Sequence, residues 1–158
     1  MRKENNLLPQ TRSQDNNTSI MTNKSSLQLQ DTPSSVRQTD FSPSKGNALQ
    51  ACVASLFHQP LEKVPNFVAL ECGYEQGIQD YLITSSPSYS LHKKGATQVD
   101  KKDEKKLCIL RGKSPRGDFG HVVIARVVEG RFTMIHDPHP DDTFLDPQEP
   151  YGWYMVFE

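Results

Sequence analysis

The stretch that decides the fold is a turn followed by an apolar helix, and it reads Gly46-Asn47-Ala48-Leu49-Gln50-Ala51-Cys52-Val53-Ala54-Ser55-Leu56. Its apolar positions recur at i, i+3, i+4, i+7 and i+8, which predicts a helix with one buried face. These positions are Leu49, Cys52, Val53, Leu56 and Phe57. Asn47 is the candidate N-cap, and Gly46 permits a close approach of the chain. We therefore expect a helix that begins at position 48 and packs its apolar stripe into the core.

Outward from this helix, the pattern changes from helical to strand-like. Residues 74–83 predict a second helix, and the charged stretch 93–106 predicts a solvated loop. Glu129-Gly130 predicts a two-residue hairpin. The predicted strands cover residues 89–92, 107–110, 121–128, 131–136 and 153–157. Helices that precede an antiparallel sheet predict an α+β fold.

Composition narrows the range of partners and compartments. The 158-residue chain has a net charge of −1, which gives no global field for nucleic acid or an anionic membrane. It has no apolar run near the roughly 20 residues that a membrane helix needs, and we expect no classical secretory signal. Three cysteines without a metal-binding spacing favour a reducing compartment. We expect a cytoplasmic protein, or one exported by a specialised system.

Residues 1–35 differ from the rest of the chain. Nineteen of these 35 residues are Ser, Thr, Asn or Gln, and they lack periodicity. Such a segment buries too little apolar surface to offset its ordering entropy. We therefore expect a disordered polar tail over 1–35 and one folded domain over 36–158. A linker and a delivery segment both remain open for the tail.

Position 48 has the right location for a nucleophile. A helix N-terminus lowers the pKa of a thiol and offers free N–H groups to a developing oxyanion. The chain has Ala48 there, which supplies no nucleophile. Cys52 lies one turn further on the apolar face, and we predict that it packs as a small hydrophobic residue. We expect structural roles for Cys72 and Cys108 as well.

A histidine and an aspartate are predicted to meet on the hairpin. If the strands pair symmetrically about Glu129-Gly130, His121 lies opposite Pro138 and within reach of Asp137. The carboxylate would then orient the imidazole as a general base. Gly120 leaves one side of the ring without steric cover.

A metal site is the weaker interpretation of the same region. Imidazole and carboxylate ligate zinc, and the available groups are His121, His136, Asp137 and His139. Strand alternation places His136 on the face opposite Asp137, and no compact ligand motif occurs. We expect no metal and no cofactor.

Several short motifs together resemble a family of small bacterial and phage proteins that are similar to papain-like cysteine peptidases in chain order. The resemblance covers nearly all of residues 36–158, and it rests on residues 38–41, 46–56, 60–67, 113–117, 120–123 and 136–140. The family's helix motif is Gly-Asn/Asp-Cys, followed by Ala-Cys three residues later. The chain keeps the second cysteine at Cys52 and departs from the motif at Ala48.

The resemblance implies a papain-like fold, in which N-terminal helices pack on a small antiparallel sheet. It implies position 48 as nucleophile, His121 as base and Asp137 as orienting group. Gln38 is a candidate oxyanion donor, although its spacing from position 48 exceeds the usual one. Asn47 and Gly120 are the remaining candidates at the substrate and oxyanion site.

The predicted function is a thiol hydrolase that acts on an amide of a protein or peptide, either as a peptidase or as a glutamine deamidase, and a secreted effector is one form that this prediction includes. Ala48 makes the chain as it stands a nucleophile-less form. The survival of His121 and Asp137 favours an engineered substitution over natural decay. The alternative is a catalytically silent binding module for a peptide or protein partner.

Overall fold

The computed structural model describes residues 25–158, and the predicted tail up to residue 24 lies outside them. The two α-helices are α1 (Ala48–Leu56) and α2 (Tyr74–Ser85), and short 3-10 turns cover Leu61–Lys63, Phe67–Ala69 and Lys101–Asp103. The strands are β1 (Leu91–Gly95), β2 (Leu107–Lys113), β3 (Gly120–Val128), β4 (Arg131–His136) and β5 (Trp153–Phe157). The described chain is therefore α+β, as predicted.

The five strands form one antiparallel sheet in the order β1-β5-β2-β3-β4. Helix α1 packs against β3. One apolar cluster lies between the helices and the sheet, and a second covers the opposite face of the sheet. This packing sets the N-terminus of α1 beside the start of β3.

Helix α1 is buried as its periodicity predicts. All five residues of the predicted apolar stripe are buried, with Cys52, Val53 and Leu56 fully so. Full burial of such aliphatic side chains stabilises the fold by about 1.5–3 kcal/mol each. Ser55 is buried too, because residues 34–36 run along its side of the helix and bond to it. The helix is consequently held from two sides.

The β3–β4 hairpin forms at the predicted turn. Val128 pairs with Arg131, and both turn residues have positive φ, 52° at Glu129 and 69° at Gly130. Positive φ at both positions is typical of a type I′ turn, which matches the twist of the strands. The two-residue turn prediction is confirmed.

The strand pairing then shifts by one residue. Symmetric pairing holds as far as Ala125 and Met134, but Ile124 pairs with His136. Ile135 is thus an extra residue, a β-bulge. The exact pairing of His121 with Pro138 was wrong for this reason.

The charged stretch 93–106 is more ordered than predicted. Its first residues complete β1, and Asp103 is fully buried. Asp103 accepts hydrogen bonds from Lys94 at 2.5 Å, Lys106 at 3.1 Å and the Tyr154 hydroxyl at 2.8 Å. The solvated-loop prediction is wrong here, because tertiary ion pairs hold charges that the sequence pattern assigned to solvent.

Residues 25–35 also differ from the prediction. The backbone N–H groups of Leu27, Gln30 and Ser34 donate to carbonyls of the two α-helices at 2.8, 3.2 and 2.9 Å. Leu27 and Leu29 pack against the apolar cluster beneath the helices. The described part of the predicted tail therefore belongs to the folded domain. Within residues 25–158, no helix has the length and apolarity that crossing a membrane requires.

Candidate functional site

The first residue of α1 faces a cleft. Ala48 is half-buried and lines a cavity of about 360 Å³. The first N–H groups of an α-helix have no acceptor within the helix, and they carry the positive end of its dipole. Position 48 therefore lies where a thiol would be activated, but the methyl group of Ala48 is not a nucleophile.

Asn47 precedes the helix but does not cap it with its side chain. Its Oδ1 instead accepts the N–H groups of Thr39 and Asp40, both at 2.9 Å. Its Nδ2 donates to Thr39 Oγ1 at 3.0 Å and to Gln50 Oε1 at 3.1 Å. Both hydrogens of the amide are used inside the protein. The structure thus gives the Asn47 side chain a positioning role, and it contradicts the prediction of an oxyanion donor there.

His121 and Asp137 are in direct contact. His121 Nε2 lies 2.7 Å from Asp137 Oδ1, and both side chains are buried. Since the carboxylate engages Nε2, Nδ1 is the ring nitrogen left for a group in the cleft, which His121 also lines. The predicted proximity is confirmed.

The bulge explains how this contact arises. Counting from the Ile124–His136 pair, His121 and Asp137 fall on the same face of the sheet. A shift of one residue exchanges the two faces, so unbroken symmetric pairing would have put them on opposite faces. Ile135, the extra residue, is therefore what turns Asp137 towards His121.

Asp137 is a fully satisfied carboxylate. Its Oδ1 also accepts the N–H of His139 at 2.9 Å, and its Oδ2 accepts from Arg116 Nη2 and from the N–H of Phe144, both at 2.7 Å. Burial raises the pKa of Asp137. The hydrogen bonds from His121 and from the two N–H groups, together with the charge of His121, lower it by more than burial raises it. The net pKa lies below the usual value. Asp137 is therefore ionised at neutral pH and fixed in direction.

Arg116 is a site residue that the sequence analysis missed. It bridges Asp137 and Asp141, which raise its pKa against the opposing effect of burial. It does not line the cleft, and it reaches His121 only through Asp137. In the sequence it looks like a turn arginine in Ser-Pro-Arg-Gly, and nothing local reveals its partner 21 residues away.

Gln38, the candidate oxyanion donor, lines the cleft. Its N–H donates to the carbonyl of Pro138 at 2.9 Å, and its Nε2 donates to the carbonyl of Asp40 at 3.0 Å. Within the described residues its Oε1 is buried without a hydrogen-bond partner. One hydrogen of Nε2 remains for another acceptor. Gln38, Ala48, Gly120 and His121 thus line one cleft, while Asp137 lies behind the imidazole and Asn47 lies behind the helix start.

The cysteines take no part in the cleft. Cys52 and Cys108 are fully buried, as predicted. Burial, and secondarily the charge of Asp137, raise the pKa of the Cys52 thiol well above its usual value. Burial raises the pKa of Cys108 to about 12. Cys72 is exposed and not part of the core, so its predicted structural role has no packing to support it.

The histidines do not assemble into a metal site. His136 Nε2 lies 2.8 Å from the carbonyl oxygen of Val36, and His139 packs edge-on against Phe41. Among residues 25–158, no group of three or more His, Cys, Asp or Glu side chains has the arrangement of a metal site.

The chain matches no protein-family model, and no curated protein or solved structure matches it.

Proposed function

We propose that the chain is the scaffold of a papain-like thiol hydrolase acting on an amide bond, in a form whose nucleophile is replaced by Ala48. The observation that carries this proposal is that His121, held by Asp137 at 2.7 Å, lines the same cleft as the first residue of α1. A base held by a carboxylate beside a helix N-terminus is the arrangement that activates a thiol.

With cysteine at position 48, His121 Nδ1 would take the thiol proton and the thiolate would attack the amide carbonyl carbon. The N–H at the start of α1 and the free hydrogen of Gln38 Nε2 would receive the oxyanion. His121 would return the proton to the leaving amine, and water would then hydrolyse the acyl-enzyme. Peptide bonds, isopeptide bonds and glutamine side chains are all amides of the required kind, so peptidase and deamidase activities are both covered.

The partner in this proposal is a protein or peptide, and the setting is the cytoplasm or export without a classical signal. The proposed reaction requires no nucleic acid, membrane lipid or cofactor.

A silent binding module is the second candidate, and Ala48 itself favours it. Three exposed apolar side chains, Phe41, Val68 and Phe119, line the cleft. Such a surface holds a peptide whether or not a thiol is present. The codon for position 48 in the natural gene separates the two: cysteine supports the hydrolase, and alanine supports the module.

The direct test restores the thiol with Ala48→Cys in a Cys72→Ser background, which removes the exposed cysteine. We expect alkylation by iodoacetamide at pH 6 at least about tenfold faster than that of free cysteine, because the helix and imidazole stabilise the thiolate. The matched control adds His121→Ala, which should lower the rate towards that of free cysteine, since only the contribution of the helix remains.

Turnover is then measured as ammonia release and peptide cleavage over a panel of proteins. Cleavage or ammonia release by Ala48→Cys, absent from the His121→Ala control, is the expected result. A thiol at position 48 that alkylates no faster than free cysteine and turns over no amide would rule the hydrolase out.

A further inference from the structure

The cleft has an uneven charge. The whole chain is nearly balanced, with 18 Lys and Arg against 19 Asp and Glu. Among the described residues that line the cleft, however, Arg111 is the only permanently charged side chain, and none is a carboxylate. The cleft therefore presents one fixed positive charge to whatever enters it.

Arg111 and the candidate base His121 line the same cleft. Its guanidinium covers the backbone of Gly120, where an added Cβ would lie 2.6 Å from Arg111 Cζ. Gly120 directly precedes His121 in the chain, and the absence of a side chain at position 120 leaves room for the guanidinium against this part of β3. A charge bound by Arg111 would thus lie in the cleft that also holds Ala48 and the imidazole.

The guanidinium has no internal partner in the part of the chain that the structure describes. Arg111 is exposed, and none of the ion pairs between residues 25 and 158 includes it. The carboxylates Asp118 and Glu149 lie along the depression on its other side, where Glu149 pairs with Lys113 at 3.7 Å. Arg37 and Arg116, by contrast, both bond to aspartates.

Apolar walls flank this cation. Arg111 pairs across the sheet with Val122 on one side and Trp153 on the other. Trp153 stacks on Tyr74, with ring centroids 5.9 Å apart and planes 17° apart. A ligand that covers the exposed guanidinium against these walls would exclude water and so strengthen a charge-assisted hydrogen bond.

We propose that Arg111 is the specificity-determining residue of the cleft and binds a carboxylate of the peptide. The carboxylate belongs to an acidic side chain or to a free C-terminus, and it neighbours the peptide residue that lies against Ala48. One planar guanidinium matches one carboxylate through two parallel N–H···O bonds, whereas phosphopeptide sites are built from clusters of arginines. The inference deepens the proposed function and rests on it for the position of the scissile amide, but the binding itself needs no thiol.

The binding test uses the chain as it exists, with Ala48. The probes are four fluorescein-labelled hexapeptide pools of Ala, Leu and Phe with one fixed residue. Three have an amidated C-terminus and contain Glu, Gln or phosphoserine, and the fourth contains Gln and a free C-terminal carboxylate. Fluorescence anisotropy gives the dissociation constant of each pool.

At least one carboxylate pool should bind about tenfold or more tightly than the amidated Gln pool, since a hydrogen bond to a charged group is worth that much. Arg111→Gln should abolish the difference. Arg131→Gln, which removes an exposed arginine at the start of β4, should leave it unchanged. The tighter of the two carboxylate pools identifies the source of the carboxylate.

Equal binding of the acidic and neutral pools, a preference that survives Arg111→Gln, preference for phosphoserine, or no binding of any pool up to about 1 mM would each overturn the proposal. A carboxylate preference in a protein whose Ala48→Cys form proves unreactive would uphold the subsite and reject only the hydrolase.

A second measurement places Arg111 near the reacting atom. In the Ala48→Cys, Cys72→Ser protein, we expect Arg111→Gln to lower the ratio of the iodoacetate rate to the iodoacetamide rate about fivefold. Taking the ratio corrects for any change in the reactivity of the thiol itself, which the iodoacetamide rate reports. An unchanged ratio would show that the guanidinium does not act on a carboxylate at position 48.

Discussion

At the scale of single residues, Asp137 connects more of the site than any other side chain described above. It accepts from His121, Arg116 and two backbone N–H groups while being fully shielded from solvent. A buried charge that loses a partner is costly, because the remaining groups stay unpaired. Asp137 therefore contributes to stability as well as to the direction of the imidazole.

Asp137→Asn should lower the free energy of unfolding at pH 7 by about 3 kcal/mol, since it leaves the Arg116 cation without its buried partner. The folded pKa of Asp137 is depressed, so its contribution is present above the unfolded value of about 3.9 and is lost as pH falls through the folded value. The difference between the two proteins should hence be present at pH 7 and shrink below about pH 4.

Urea unfolding between pH 2 and 8 measures that difference. Asp118→Asn, at an exposed position, is the matched control and should stay within about 0.5 kcal/mol of the parent throughout. A difference for Asp137→Asn that is the same at pH 3 and pH 7 would contradict the account.

The two arginines of the site show which residues sequence reasoning misses. The proximity of His121 and Asp137 was predicted because residues that face each other in a hairpin lie at about equal distances from the turn along the chain. Arg111 and Arg116 reach the site through tertiary contacts, and a charged residue on a strand or turn looks like solvated surface in the sequence. Their role becomes visible only once the neighbours of each guanidinium are known.

At the scale of elements, periodicity predicted α1, β3, β4 and β5 closely, because each has a strong pattern and a clear turn or cap signal. The bulge at Ile135 was not predictable, since a bulge residue carries no distinctive sequence signal when it is not glycine. The stretch 93–106 was mispredicted because burial of Asp103 depends on partners in other elements.

The loop before α1 is attached to the helix through Asn47. Asn47→Ala would remove two part-buried hydrogen bonds, those that Asn47 Oδ1 accepts from the N–H groups of Thr39 and Asp40, at a cost of about 2 kcal/mol. The loop also carries Gln38 and Phe41, so we expect weaker peptide binding together with a lower melting temperature. Thermal unfolding and the anisotropy assay measure the two effects.

Asn66→Ala is the comparison for that variant. Asn66 makes one side-chain bond, to the exposed carbonyl of Lys45 at 3.0 Å, so its loss should cost about 0.5 kcal/mol. Equal losses for the two asparagines would argue against the special role of Asn47.

At the scale of the whole molecule, the folded domain begins before the predicted boundary at residue 36. Leu27 and Leu29 pack on the core, and three backbone bonds fasten their segment to the helices. A chain shortened to residues 36–158 should therefore lose about 2–4 kcal/mol relative to one shortened to 25–158, given the apolar surface that becomes exposed. The melting temperature should fall by roughly 10 °C.

Differential scanning calorimetry of the two shortened chains provides the measurement. Leu27→Ser with Leu29→Ser in the longer chain tests whether the apolar contacts carry the effect, and should reproduce most of the loss. Identical melting temperatures for 25–158 and 36–158 would restore the boundary that the composition predicted.

The position of β5 in the sheet has a consequence for the order of folding. β1 joins the other strands only through β5, which is made 58 residues later, and β5 also brings Trp153 to the cleft. Pairing over such a separation is slow, because the entropy of closing a long loop is lost before any contact between the strands contributes stabilising free energy. In a nascent chain that ends before Trp153, β1 has no strand to pair with, and the cleft lacks one of its walls. Maturation of the sheet and competence to capture a ligand should accordingly appear in a single late step.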